Sequence, residues 1–214
     1  MALDFYHGHG SPYSWRVWLA LEAKGVPYNL KVLSFDKKET TTPEFVAINP
    51  RHTVPTIVDD GYALWESMAI VEYLDERFAS GTKLYPGDAK QRARVRRLIR
   101  EMEQYLNGPI DKIVDELFWK GDAAPDEQKV ATARGEVKAE LDNFAKEVRG
   151  RFVNGDVPCA ADFVLYPMLG YVWRIGVRKP ESGLAGLLPA TLAEYKKRVE
   201  ALPYFDKTYP PHWR

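Results

Sequence analysis

The chain has 214 residues and a mass of 24.5 kDa, enough for one large domain or two small ones. Lys plus Arg and Asp plus Glu both number 30, so the basic excess expected of a nucleic-acid binder is missing. With 45% hydrophobic and 28% charged residues, no apolar run of 18, no leader-like start and one cysteine, Cys159, the composition excludes chain-wide disorder, a membrane span and an internal disulfide, and the expectation is a soluble, cytoplasmic protein.

Taken in chain order, Ala2–Tyr6 is a strand and Ser14–Lys24 a helix, with Val17, Ala20, Leu21 and Lys24 on one stripe and Gly25 as its stop. Tyr28–Leu33 is a second strand, in which Leu30 and Val32 alternate with polar neighbours. Thr42-Pro43-Glu44 starts a short helix: a capping threonine, a first-turn proline, then an acid. Val54–Val58 and Tyr62–Leu64 flank the hairpin signal Asp59-Asp60-Gly61. Ser67, Ile70, Val71, Leu74 and Phe78 follow helical spacing. A βαβ unit, then a hairpin and a helix, is a thioredoxin-like α/β layout for residues 1–78. Residues 79–88 hold Gly81, Pro86 and Gly87 and read as a linker. Residues 89–214 read as all-helical. Val95, Leu98, Ile99, Met102, Tyr105 and Leu106 form an apolar stripe, and Lys90, Arg92, Arg94, Arg96, Arg97 and Arg100 a solvated basic face. Residues 1–78 hold 7 Lys/Arg against 11 Asp/Glu, a net −4 that the helical remainder balances with +4.

Three segments carry chemistry. Ser11-Pro12-Tyr13-Ser14 lies between a strand and a helix, where unpaired N–H groups and the helix dipole favour an anion. Either serine also suits a plain helix cap. The string looks like the Cys-Pro-Tyr-Cys of glutaredoxins with oxygen for sulfur, so dithiol exchange is excluded and a hydroxyl is left to meet the thiolate of a bound molecule. Lowering a thiol pKa from about 8.5 to about 6.5 needs roughly 2.7 kcal/mol. A hydrogen bond to a charged partner contributes about 1.5–3 kcal/mol, and a helix terminus roughly 0.3–1 more. Val54-Pro55 is a proline at an edge or after a cis bond, and the cis form turns the Val54 backbone toward a peptide-like ligand. Glu66-Ser67 opens a helix and can hold an α-amino acid head, the ammonium on Glu66 and the carboxylate at the helix start, or be a simple cap.

Ser11 through Val17, Asn49-Pro50 through Val54-Pro55, and Glu66 through Leu74, in this order, resemble a cytosolic glutathione transferase. Ser-x-x-Ser-Trp-Arg-Val is similar to the serine-type, zeta-like branches and related bacterial or plant classes. The likeness continues more weakly through Cys159-Ala160-Ala161-Asp162 and the ending Leu202-Pro203…Trp213. It implies a thioredoxin-like domain (1–78), a linker (79–88) and an all-α domain (89–214). It implies glutathione as co-substrate without a metal, a hydrophobic electrophile as acceptor, a homodimer and a detoxifying role. By the same likeness Ser11 is the catalytic hydroxyl, with Ser14 second and Tyr6 or Tyr13 a tyrosine-type alternative. Val54 and Pro55 would present backbone to the cysteinyl unit, and Glu66 and Ser67 would hold the γ-glutamyl end. The family's usual His, Lys or Gln near 40–42 and at 53 are threonines here, which leaves the glycine carboxylate to Thr53, Arg51, His52 or Lys38. The electrophile pocket would draw on Tyr105, Ile113, Leu117, Phe118 and Trp119, whose spacing suits one helix face and suits core packing equally. Arg16 adds positive potential near the sulfur or pairs with an acid. Cys159 stands where the family caps a helix with Ser or Thr. That leaves Asp162 to carry the helix start alone, or Cys159 as a buried hydrophobe.

Other readings are weaker. Gly8-His9-Gly10 mimics a dinucleotide loop, but Tyr13 replaces its third glycine. His7 and His9 lack a third metal ligand and read as loop histidines. Alternatives to transfer are a non-catalytic glutathione-binding or protein-docking role, or a glutathione-dependent isomerase, dehalogenase or peroxidase.

Overall fold

The computed structural model describes residues 2–213. They form two compact units, Met1–Pro86 with Leu202–Arg214, and Gly87–Ala201.

The first unit is built on a four-stranded sheet of order β2-β1-β3-β4, from β1 (Leu3–His7), β2 (Tyr28–Val32), β3 (Thr56–Asp59) and β4 (Tyr62–Trp65). β1 runs parallel to β2 and antiparallel to β3, and β3 antiparallel to β4. This is the thioredoxin-like layout the element order predicts. The turn between β3 and β4 needs positive φ at two residues in a row, and Asp60 (48°) and Gly61 (85°) supply it. Helix α1 (Pro12–Lys24) begins on Ser11 and ends on Gly25 at φ 62°. Phe5 meets Trp18 of α1 edge to face, whereas its neighbour Tyr6 meets Phe45 of α2 (Pro43–Ile48). Strand alternation therefore puts α1 on one face of the sheet and α2 on the other. Helix α3 (Ser67–Arg77) packs beside α1. β2 is an edge strand, and Leu30 and Val32 are exposed on it.

Lys24, placed on the apolar stripe of α1, is indeed buried, because Asp75 of α3 meets its Nζ at 3.3 Å. Asp75 also accepts the Leu84 N–H at 2.8 Å and the Tyr85 N–H at 3.3 Å, tying the predicted linker to α1 and α3. Burial pushes this carboxyl up, but the Leu84 N–H, Lys83 and Lys24 together outweigh burial and hold it below its ordinary value.

Residues 202–213, expected with the helical region, belong to the first unit instead. Trp15 Nε1 donates to Thr208 Oγ1 at 3.1 Å on α9 (Phe205–Thr208), and its ring packs against Phe205, Tyr209 and Trp213. Lys207 pairs with Glu22 at 2.6 Å.

The second unit is helical: α4 (Ala89–Glu101), α5 (Asn107–Val114), α6 (Glu127–Glu147), α7 (Ala160–Arg178) and α8 (Ala190–Glu200). An Asp88/Gln91 capping box starts α4. The chain widens to π-helical turns at Met102–Leu106 and Asp115–Trp119, on either side of α5. A π turn adds a residue and rotates the helix beyond it. Met102 and Leu106 thus stay in the core while Tyr105, expected on the same stripe, is 50% exposed. On the predicted basic face Arg94 is an exception: it is largely buried, donating to Glu147, to Val153 O and to Asn154. Helix α7 is buried along most of its length. Cys159 precedes it and is fully buried, and Asp162 Oδ2 accepts the Cys159 N–H at 2.8 Å while Oδ1 accepts the Val153 N–H at 2.9 Å. Asp162 thus supplies the carboxylate half of the helix start, and the Cys159 thiol sits in the core, pushed well above its ordinary pKa by burial and by Asp162.

Candidate active site

Ser11 is the N-cap of α1, and its Oγ accepts the Ser14 N–H at 3.2 Å. It is half-exposed, so its own O–H is open to a ligand. Ser14 is fully buried, and its Oγ lies 3.5 Å from the Gly8 N–H it accepts. The turn before the helix is closed by the Ser11 N–H on Gly8 O at 3.2 Å, with Gly10 at φ 89°. Tyr13 is 38% exposed on the first helical turn, beneath the Arg16 guanidinium at 4.8 Å. Tyr6 packs on Phe45, and burial, with Asp4, raises its pKa.

The Val54–Pro55 peptide bond is cis. The loop before it is organised by Asn49, a fully buried residue to which the sequence alone assigns no role. Asn49 Nδ2 donates to Thr53 O at 2.9 Å and to Thr56 Oγ1 at 2.9 Å, and its Oδ1 accepts the Arg51 N–H at 2.9 Å. Thr53 Oγ1 also faces Asn49 Nδ2, at 3.4 Å. Among the described residues Val54 makes no backbone hydrogen bond of its own. Pro55 is buried, while Arg51, His52, Thr53 and Lys38 are exposed, with His52 and Lys38 at positive φ.

At the start of α3 the cap is Glu66, not Ser67. Glu66 holds φ 69° and ψ 107°, a conformation that costs a non-glycine residue of order 1–3 kcal/mol, and its carboxylate is exposed. Ser67 is the first helical residue, and its buried hydroxyl accepts a hydrogen bond from Arg16 Nη1 at 3.3 Å. The simple-cap alternative for Ser67 is thereby replaced. With Arg16 as donor, the Ser67 proton is free to face a ligand. Arg16 itself is fully buried in α1 and spans from Tyr13 to Ser67, so one guanidinium serves both helix starts.

The five residues expected in the electrophile pocket do not share one face. Ile113 and Leu117 are in the helical core, whereas Trp119 is 76% exposed and Tyr105 lines a charged groove with Glu140, between α5 and α6. Phe118 is half-buried under Arg178 and Lys179. Leu117, Phe118 and Trp119 are consecutive, so helical winding turns them about 100° apart, and the π turns rotate the chain further. His7, read as a loop histidine, closes β1 and is buried, its ring touching His9. The spacing of His7 and His9 was legible, their burial was not. Among the described residues no group of three or more His, Cys, Asp or Glu is placed to hold a metal ion. None of the helices there is long and apolar enough to cross a membrane.

Residues 10–77, which contain all three helix-start and loop segments, match the family described as glutathione S-transferase, N-terminal domain. A glutathione S-transferase from the Antarctic clam Laternula elliptica is similar over 100% of this chain and 94% of its own, at 28% identity and a TM-score of 0.85. Glutathione transferase Omega 3C from Trametes versicolor is similar at 24% identity and a TM-score of 0.82, covering 98% of this chain and 90% of its own. Poplar glutathione transferase F1 is similar at 24% identity and a TM-score of 0.81, covering 97% of this chain and 96% of its own. The chain therefore has the glutathione transferase fold, with a glutathione S-transferase N-terminal domain matched over residues 10–77.

Proposed function

We propose that the protein is a glutathione transferase of the serine type. The observation that carries this reading is Ser11: a half-exposed hydroxyl on the helix start of α1, accepting from Ser14 and open to donate. A glutathione sulfur beside it meets a hydroxyl donor and the positive end of α1, and both favour the thiolate. Ser14, fully buried, supports the turn instead. Val54 offers backbone groups to the cysteinyl unit. Ser67, held by Arg16, and the exposed Glu66 receive the γ-glutamyl carboxylate and ammonium. Lys38, Arg51, His52 and Thr53 ring the place for the glycine carboxylate. The thiolate then attacks an electrophilic carbon. A homodimer and a cytoplasmic, detoxifying role belong to the same reading.

The experiment is a conjugation assay with a generic aromatic electrophile, paired with glutathione binding by calorimetry, on wild type, Ser11→Ala and Ser14→Ala. Turnover lost on Ser11→Ala with binding retained supports the reading. Tight binding without turnover in wild type favours a non-catalytic role, and loss on Ser14→Ala alone moves the chemistry to the other serine.

A further inference from the structure

The loop before Ser11 holds a second chemical feature. His9 occupies the corner of the Gly8–Ser11 turn. Its ring is held against His7 (centroids 4.9 Å apart), Trp18 (6.2 Å) and His212 (6.4 Å). His7 Nε2 lies 3.1 Å from His9 Nδ1. His212 comes close because Gly10 lacks a side chain: a Cβ there would stand 3.3 Å from His212 Nε2.

The position of the protons comes from His7. It is 2% exposed, and its Nδ1 is buried without a hydrogen-bond partner. A proton on Nδ1 would orphan a buried N–H, which folded proteins rarely do. The His7 proton therefore sits on Nε2 and is donated to His9 Nδ1. With Nδ1 accepting, a neutral His9 carries its own proton on Nε2. Among the described residues that Nε2 has no hydrogen-bond partner, and His9 is only half-buried. A second proton on His9 would set two N–H groups against each other, and burial also lowers the His9 pKa. His7 and His212 are the titratable groups whose rings face it. The result is a neutral imidazole, fixed in one tautomer, with a free N–H two residues from Ser11.

We propose that His9 is a catalytic hydrogen-bond donor to the acceptor: its Nε2–H stabilises the negative charge that appears on an acceptor oxygen as the glutathione sulfur attacks. This rests on the glutathione-transfer reading and names a substrate class, acceptors whose electrons move onto oxygen, such as α,β-unsaturated carbonyls. In that reaction the S–C bond forms at the β-carbon and the C=C pair moves toward the carbonyl, whose own pair moves onto oxygen. The resulting enolate accepts the His9 hydrogen bond. The proton lost earlier from the thiol to water returns from water to the α-carbon. An alkyl halide sends the pair to the departing halide and leaves His9 no oxygen to bind.

The test compares wild type, His9→Asn and His9→Gln with a simple enone and with a primary alkyl iodide, and measures glutathione affinity in parallel. Asn places an amide oxygen near Nδ1, so the bond from His7 survives while the outward donor is lost. Gln reaches the Nε2 position and restores a donor. The expected result for His9→Asn is a roughly 10- to 100-fold fall in kcat/KM for the enone, the range for a hydrogen bond to a charged group. The iodide rate and the glutathione affinity should change less than about threefold, within the scatter of mutations outside the chemistry. His9→Gln should recover part of the enone rate. An equal fall on both acceptors, or no fall on the enone, overturns the role of His9. Wild type inactive on both acceptors overturns the transferase reading itself, and this role with it.

Discussion

Arg16 Nη1 donates to Ser67 Oγ at 3.3 Å, linking the start of α1 to the start of α3 through a fully buried guanidinium. The two helix starts that the transferase reading assigns to one ligand are thus joined by one positive charge. Arg16→Met should weaken glutathione binding about tenfold or more, since a charged hydrogen bond is worth about 1.5–3 kcal/mol. Arg16→Lys should recover only part, because a compact ammonium lacks the planar fork. Titration calorimetry on folded variants measures both.

The two serines should separate by phenotype. Ser11→Ala removes a helix cap, worth about 1 kcal/mol of stability, and at neutral pH should lower kcat/KM roughly 10- to 100-fold through the thiolate. Ser11→Thr should keep the cap. Ser14→Ala leaves the Gly8 N–H without its acceptor and should cost about 1–3 kcal/mol of stability with little change in kcat/KM once folded. Urea unfolding beside steady-state kinetics checks the division.

Much of this was legible in the sequence. A serine cap at Ser11 or Ser14, the Gly25 stop, the Asp60-Gly61 turn and the Val54-Pro55 signal all follow from local backbone preferences, which act over a few residues, though the helix starts at Pro12 on Ser11 rather than at the expected Ser14. What was not legible depends on distant partners. The stripe turns Lys24 inward, but its counter-charge Asp75 lies 51 residues away, and residues 202–213 join the first unit through Trp15 and the Lys207–Glu22 pair. The π turns that scatter Tyr105, Ile113 and Trp119 leave no mark in a 3.6-residue pattern, and Ser67 changed from a cap to the acceptor of Arg16.

Asp75 is the hub of the first unit. Asp75→Asn keeps acceptors for the Leu84 N–H but strips the counter-charge from Lys24, which is 1% exposed. The expected cost is about 3–5 kcal/mol, and Lys24→Met with Asp75→Leu should recover a large part. Urea midpoints of the single and double variants measure this. Because the carboxyl is held below its ordinary value, its contribution is complete above about pH 4 and disappears as pH falls through the lowered value.

His7 adds a separate acid sensitivity. Burial, reinforced by His9, pushes its imidazole from 6.5 down to about 3. Between those values the unfolded chain binds a proton that the folded chain refuses. Stability therefore falls as the pH drops from 6.5 toward 3, by about 1.4 kcal/mol per pH unit from this residue. In urea unfolding at pH values of about 6.5, 5.5 and 4.5, His7→Phe should flatten that slope by close to one proton.

In the proposed mechanism residue 11 ionises a bound sulfur. Ultraviolet absorbance of the thiolate in the glutathione complex, followed against pH, tests it most directly. Wild type should titrate well below the free-thiol value of about 8.5, and Ser11→Ala should move the titration back toward it. A complex that ionises only near the free-thiol value, or one in which Ser11→Ala changes nothing, would remove Ser11 from the chemistry.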